Sequence, residues 1–185
     1  MSRLKAVLIV AVCVALAAVI SWTRPDTTVQ PVAAQVGQTV SLQPGLTATV
    51  TGVALTRSLT GAIDRHTESV YLVVDVDLGV TSGTDVVPHL MVSSGGRTLV
   101  PGFADLALPR FGEAGFVSHC RVPILMETAD LIGAQAQIEA VPPLVSGFHR
   151  QLTVDLGLDA GRVEALLTQA DEPIQIDDPV VEVLR

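Results

Sequence analysis

The apolar pattern of this 185-residue chain predicts an all-β fold. The expected form is a β-sandwich over residues 36–145, preceded by a single N-terminal transmembrane helix and followed by a strand, a short helix and an extended arm. Three observations carry this reading. Val70, Leu72, Val74, Val76, Leu78 and Val80 alternate with polar residues at the period of a half-buried strand. Further short alternating segments follow at intervals broken by Gly, Pro and Ser turns. An apolar run from Ala6 to Ile20 follows Met1-Ser2-Arg3-Leu4-Lys5.

That run, extended to Trp22, is 17 residues long, at the short end of the roughly 17–25 that cross a bilayer as a helix. Arg3, Lys5 and the N-terminal amine precede it, and Arg24 beyond it is offset by Asp26. Positive charge stays in the cytoplasm, so residues 1–5 are expected inside as a stub and the body of the chain outside. Trp22 suits the outer headgroup zone. Cleavage as a signal peptide needs small residues just past the apolar core, and Val32-Ala33-Ala34 lies more than ten residues beyond Ile20. Lipid attachment is disfavoured because Cys13 follows Val12 in mid-run, where it reads as a small hydrophobe. A helix of a soluble core would not need the flanking charges. The reading is a single-pass anchor over 6–22, a Pro/Thr/Gln/Ala tether over 23–35, and a localisation at the cell membrane with the domain extracytoplasmic.

Within the domain, Thr39–Leu42 is a short strand candidate, and Leu46, Ala48 and Val50 alternate with threonines until the phase shifts at Gly52, as at a bulge. Val70–Val80 comes next, with Asp75 and Asp77 on its polar face. Leu90–Val92 and Arg97–Pro101 are further short candidates. Ala114–Val122 sets Phe116, Ser118, Cys120 and Val122 on one face against Val117, His119 and Arg121 on the other. Ala136–Ala140 and Leu152–Leu158 complete the strands. Turns are expected at Ser82-Gly83, Ser94-Gly95-Gly96, Pro101-Gly102, Arg110-Phe111-Gly112 and Pro142-Pro143. In the extension 146–185, Asp159 can cap a helix over Ala160–Ala170 with Val163, Leu166 and Leu167 as its apolar stripe. Asp171–Arg185 is acidic and broken by proline, which suits an extended arm on the domain or on a partner.

Composition narrows the function. From Val36 onward the net charge is −10, and an acidic surface repels phosphate backbones, so nucleic acid is disfavoured as a partner. Tyr71 is the domain's single tyrosine and it has no tryptophan, which weakens sites that stack sugars or bases. Cys120 is the only cysteine outside the anchor, so packing without a disulfide must hold the fold. The absence of Asn and the preference for Arg over Lys resemble the bias of a GC-rich bacterial genome, as in actinobacteria.

The succession VGQTVSLQPGLTATVTGVAL, YLVVDVDLGV, SSGGRTLVPG, GFVSHCRVPI and AQAQIEAV resembles the telokin-like, immunoglobulin-type extracytoplasmic domain of bacterial anchored proteins and lipoproteins. The similarity spans Val36 to Val141 and rests on generic strand patterns: a G-x-x-V opening, a Y-L-x-V-x-V strand and a late strand ending V-P. Thr81-Ser82-Gly83-Thr84 stands where that family has an Asn-rich turn, and the extension after Ser146 has no counterpart. The resemblance implies an immunoglobulin-like antiparallel sandwich with a binding or assembly role and supplies no catalytic residues.

The residues agree with that restraint. Cys120 beside His119 suggests a sortase-like thiol nucleophile, but strand neighbours point to opposite faces, and His66 or His89 would have to approach instead. The sortase-type Thr-Leu-x-Thr-Cys is replaced by Phe116-Val117-Ser118-His119-Cys120. His66, His89, His119 and His149 lie in separate segments, without the local spacing of a zinc site. Asp64-Arg65-His66-Thr67-Glu68 reads as a solvated hairpin loop. Asp75 and Asp77 are expected to pair across strands with His119 and Arg121; were those strands apart, the aspartates would be open to a divalent cation. No phosphate loop, nucleophile elbow or His-Glu-x-x-His occurs.

No cofactor, metal site or catalytic residue is therefore expected. The expected function is a binding or assembly module for an envelope or membrane protein partner, with Ile174, Ile176, Val180, Val181, Val183 and Leu184 as contact residues able to add a strand to a partner's edge. The rival for that arm is closure of the domain's own edge. An accessory subunit of an envelope transport or secretion complex is the alternative function, and a sortase-like or metal-dependent hydrolase the third.

Overall fold

A computed structural model describes residues 29–82, 87–102, 114–141 and 149–184. The stub, the anchor over 6–22 and the turns at Arg110-Phe111-Gly112 and Pro142-Pro143 lie outside these residues. Among the described residues no helix is long and apolar enough to cross a membrane.

Eleven strands occur in chain order among the described residues: β1 (Val29–Gln35), β2 (Val40–Gln43), β3 (Leu46–Gly61), β4 (Arg65–Val80), β5 (Val87–Ser94), β6 (Arg97–Leu99), β7 (Phe116–Met126), β8 (Gln135–Val141), β9 (His149–Asp155), β10 (Ile174–Ile176) and β11 (Val180–Val183). An α-helix, α1 (Ala160–Leu167), sits between β9 and β10, and a single 3-10 turn, Thr128–Asp130, lies between β7 and β8. The strands form two sheets, β1-β9-β8-β5-β6 and β10-β3-β4-β7-β11, with β2 also on β3.

β4 is the spine. From Tyr71 to Val80 it is paired with β3, and from Val70 to Val80 with β7. Its alternating residues Val70, Leu72, Val74, Val76, Leu78 and Val80 are all buried in a cluster that also takes Ile124 of β7, Ile138 of β8 and Leu152 of β9. The two sheets thus share one apolar core, and period-two patterning is what places it. The register shift between Val50 and Gly52 falls where the phase change predicts it. β7 runs four residues past the expected Val122, carrying Ile124 and Met126 into the core.

The sandwich extends in both directions beyond 36–145. Residues 29–35, read as tether, form β1, which runs parallel to β9 with Val32 beside Leu152 and Ala34 beside Val154. Pro31 is tolerated because β1 is an edge strand. An internal proline, polar glutamines and a partner over a hundred positions away leave this strand without a local signal. β9, placed in the extension, is flanked by β1 and β8 and is interior to its sheet. The sandwich is not wholly antiparallel: β1–β9 and β10–β3 are parallel pairs. Strands that arrive from distant chain can add to an edge in either direction, whereas hairpin neighbours cannot. The Asp64–Glu68 cluster is also mostly strand, since β4 begins at Arg65.

The helix follows its cap. Asp159 Oδ1 accepts the Arg162 N–H at 2.8 Å, and Val163 is buried with Leu166 and Leu167 packed against the core. It stops at Leu167, three residues earlier than the apolar pattern suggests, in a turn that buries Ala170.

Ile124→Ala empties a fully buried site in β7 and is expected to cost about 2–5 kcal/mol in urea unfolding. Val181→Ala, at a position 58% exposed, should stay within about 0.5 kcal/mol. Equal losses at the two positions would contradict this placement of the core.

Candidate functional site

The chain after α1 is laid across the outer face of the β4 sheet, and the cleft beneath it is the candidate site. Its anchoring proceeds step by step. Arg57 N–H donates to the Ala170 carbonyl at 2.7 Å, and the Arg57 guanidinium meets Asp171 at 2.7 Å. The buried Thr56 hydroxyl reaches the Glu172 carbonyl at 2.8 Å. β10 then pairs with Leu59–Gly61 of β3, and Ala62 N–H donates to the Ile176 carbonyl at 2.8 Å.

Side chains reinforce this seat. Ile176 is fully buried with Leu59, Tyr71 and Val73, and Ile174 packs at their margin. Burying one such side chain favours docking by roughly 1.5–3 kcal/mol. Gly61 makes the approach geometrically possible: a Cβ there would stand 2.5 Å from the Ile176 carbonyl oxygen.

Past β10 the chain crosses the face through Asp177-Asp178-Pro179 and reaches the far edge, where β11 pairs antiparallel with β7. Under the crossing lies a cleft of about 350 Å³ lined by Thr51, Asp75, Asp77, Arg121, Asp178 and Val180, among others. Its floor is the polar face of β4 and β7, and the expected cross-strand pairs are present. Asp75 sits opposite Arg121 and Asp77 opposite His119. Arg121 Nε donates to Asp75 at 2.9 Å, and Arg121 also donates to the Gln175 carbonyl at 3.2 Å. His119 Nδ1 is 2.7 Å from Asp77 Oδ1, a hydrogen bond across the two strands. His119 Nε2 lies 3.9 Å from Glu182 of β11. Every carboxylate of the floor thus has a cationic or hydrogen-bonding neighbour.

Leu184 closes the path. Its N–H donates to the Gly115 carbonyl at 2.8 Å, and its side chain lies over Gly79. A Cβ at Gly79 would stand 2.6 Å from Thr47 Oγ1 and 3.2 Å from Leu184 Cδ1. The missing side chain is therefore a notch into which Leu184 fits.

The six residues expected to contact a partner divide into two groups. Ile176 and Ile174 belong to the domain's own secondary cluster, so Ile176 cannot meet a partner while β10 is docked. Ile174 and Ile176 thus face an apolar patch of the domain's own sheet, as the rival reading of the arm has it for these two residues. Val180, Val181 and Val183 are 56%, 58% and 68% exposed on the edge strand, while Leu184 is half-buried. The patch itself, Tyr71 and Val73, has a signal in the sequence. Val70 to Val74 is a continuous apolar run, the mark of a strand covered on both faces.

Cys120 points into the core from the face opposite His119 and is 6% exposed. His66 is hydrogen-bonded to Ser58 at 2.9 Å, and exposed His89 lies opposite Glu139 in the other sheet. None of His66, His89 and His119 is placed to activate the thiol. Burial, then the charge of Asp77, push the Cys120 pKa from 9.0 up to about 12.

No family model matches the chain. No curated protein matches it either. Among solved structures it is similar to one from Bacillus subtilis subsp. subtilis str. 168, that of "a putative lipoprotein (ycdA)", at 11% identity and a TM-score of 0.44, covering 70% of this chain. The chain spans 41% of the length of that protein.

The raised thiol pKa makes a stability prediction. The unfolded thiol releases its proton above about pH 9 and the folded one only near 12, so this contribution is full below pH 9 and lost as pH rises between those values. At pH 10.5 the loss should be about 2 kcal/mol in urea melts, relative to a Cys120→Ala variant followed over the same range. Parallel pH profiles for the two proteins would place the thiol in solvent.

Proposed function

We propose that this chain is an envelope protein held at the membrane by residues 6–22, whose exported immunoglobulin-like sandwich serves as a binding or assembly module for a protein partner. The contact surface in this reading is the edge formed by β11. The observation that carries it is the exposure of Val180, Val181 and Val183 together on one short edge strand. Sheet edges offer unpaired backbone groups to a neighbouring strand, and soluble proteins usually blunt them with charge rather than valine. The buried, strongly basic thiolate of Cys120 argues against a sortase-like hydrolase. The polar cleft is better read as the fixture that positions the edge strand.

Two measurements in intact cells test this. A phosphatase reporter fused after Arg185 should be active outside the cytoplasm. A photo-crosslinking residue in place of Val183 should give a discrete protein adduct, absent when the same residue replaces exposed Gln135 on the other sheet. An inactive reporter, or equal adducts from both faces, would refute the reading.

A further inference from the structure

His119 stands between two carboxylates that belong to different parts of the chain. We propose that it is a pH-sensitive clasp on β11: protonation of the ring fastens the edge strand to the sheet, and loss of that proton lets the strand loosen. Such a clasp regulates the β11 edge, and it rests on the reading of that edge as the contact surface.

The geometry centres on one ring. Nδ1 lies 2.7 Å from Asp77 of β4, and Nε2 lies 3.9 Å from Glu182 of β11. Each ring nitrogen thus faces a carboxylate. A neutral imidazole carries a single N–H, so it serves one carboxylate and turns a lone pair toward the other; the imidazolium carries two and serves both. The same holds for either tautomer. On one side the ring has a fixed support, since β4 is paired with both β3 and β7 at Asp77. On the other side it has the edge strand.

The remaining charges of the cleft are committed elsewhere. Asp75 is engaged by Arg121 at 2.9 Å, and the same guanidinium donates to the Gln175 carbonyl. Asp177 accepts from Gln175 Nε2 at 2.9 Å, and Asp178 lines the cleft from the crossing segment. The adjacent Cys120 thiol belongs to the core. Of these side-chain types, imidazole is the one that ordinarily changes charge between about pH 5 and 8.

β11 is a strand that a small energy can move. All four of its residues are exposed, and β7 is the strand that pairs with it. Beyond it, Leu184 adds one backbone bond to Gly115 and a side chain over Gly79. β10, by contrast, is fixed by buried Ile176 and by β3, with no contact to the ring. An exposed ion pair shifts a local equilibrium by about two- to fivefold, which is slight for the sandwich and appreciable for four exposed residues. An exported domain also meets the pH of its surroundings directly.

Amide hydrogen exchange on the full chain in mild detergent tests the clasp, with protection factors corrected for the intrinsic pH dependence of exchange. Protection over Val180–Leu184 should fall about two- to fivefold from about pH 6 to about pH 8, while that of Ile174–Ile176 and Val70–Val80 stays level. His119→Gln and Glu182→Gln should each give low protection of β11 at both pH values. His119→Arg, charged throughout, should give high protection at both. Equal protection of wild-type β11 at the two pH values, or a pH dependence that survives in His119→Gln, would overturn the clasp. In cells, the adduct from Val183 should weaken over the same rise in external pH and hold steady in His119→Arg. A pH-dependent β11 with no Val183 adduct at either pH would keep the clasp and sink the reading of the edge as a contact surface.

Discussion

The constraint on which the molecule turns is that β4 is covered on both faces over Val70–Val74, whereas beyond it Asp75 and Asp77 leave the outer face half-exposed. Paired on both sides over Tyr71–Val80, it cannot shift by one residue without exchanging its faces. Val70, Leu72, Val74, Val76, Leu78 and Val80 would leave the core, and Asp75 and Asp77 would enter it. Burying two carboxylates without partners costs far more than the strand pairing returns. The register of β3, β4 and β7 follows from that penalty, and the register sets Asp75 against Arg121 and Asp77 against His119.

The same strand explains the arm. Tyr71 and Val73 leave an apolar patch on the outer face, and Ile174 and Ile176 cover it. Two residues further along β4 the outer face becomes charged, and there the chain stops packing and crosses through Asp177 and Asp178 above Asp75 and Arg121. Gly61 and Gly79 mark two places where a side chain on the sheet would obstruct the arm. The division of the arm into a fixed β10 and an exposed β11 therefore reflects the change from apolar to charged along one strand.

Much of the sandwich was legible from period-two patterning: β4 with its two aspartates, the bulge at Gly52 and the inward face of β7; the helix cap at Asp159 was legible from its residue type and place. What escaped had no local cause. β1 contains a proline and lacks a clean apolar alternation, and it acquires its meaning from β9, which no window of sequence can display. The parallel pairing of β10 with β3 is equally non-local. The apolar run Val70–Val74 did carry the information that both faces of β4 are covered, and Ile174 and Ile176 supplied the cover. Joining them required knowing that the arm returns to the sheet. The site's ion pairs followed from alternation once β4 and β7 were neighbours, whereas the notch at Gly79 depends on a contact that residue types do not announce.

The most direct measurement is amide hydrogen exchange on the full chain, read peptide by peptide. Amides of Val70–Val80 should exchange at the slowest, globally limited rate, those of Ile174–Ile176 at an intermediate rate, and those of Val180–Val183 fastest among the strands. Protection of β11 equal to that of β4, or rapid exchange through Val70–Val80, would contradict a fold organised around the two faces of this strand.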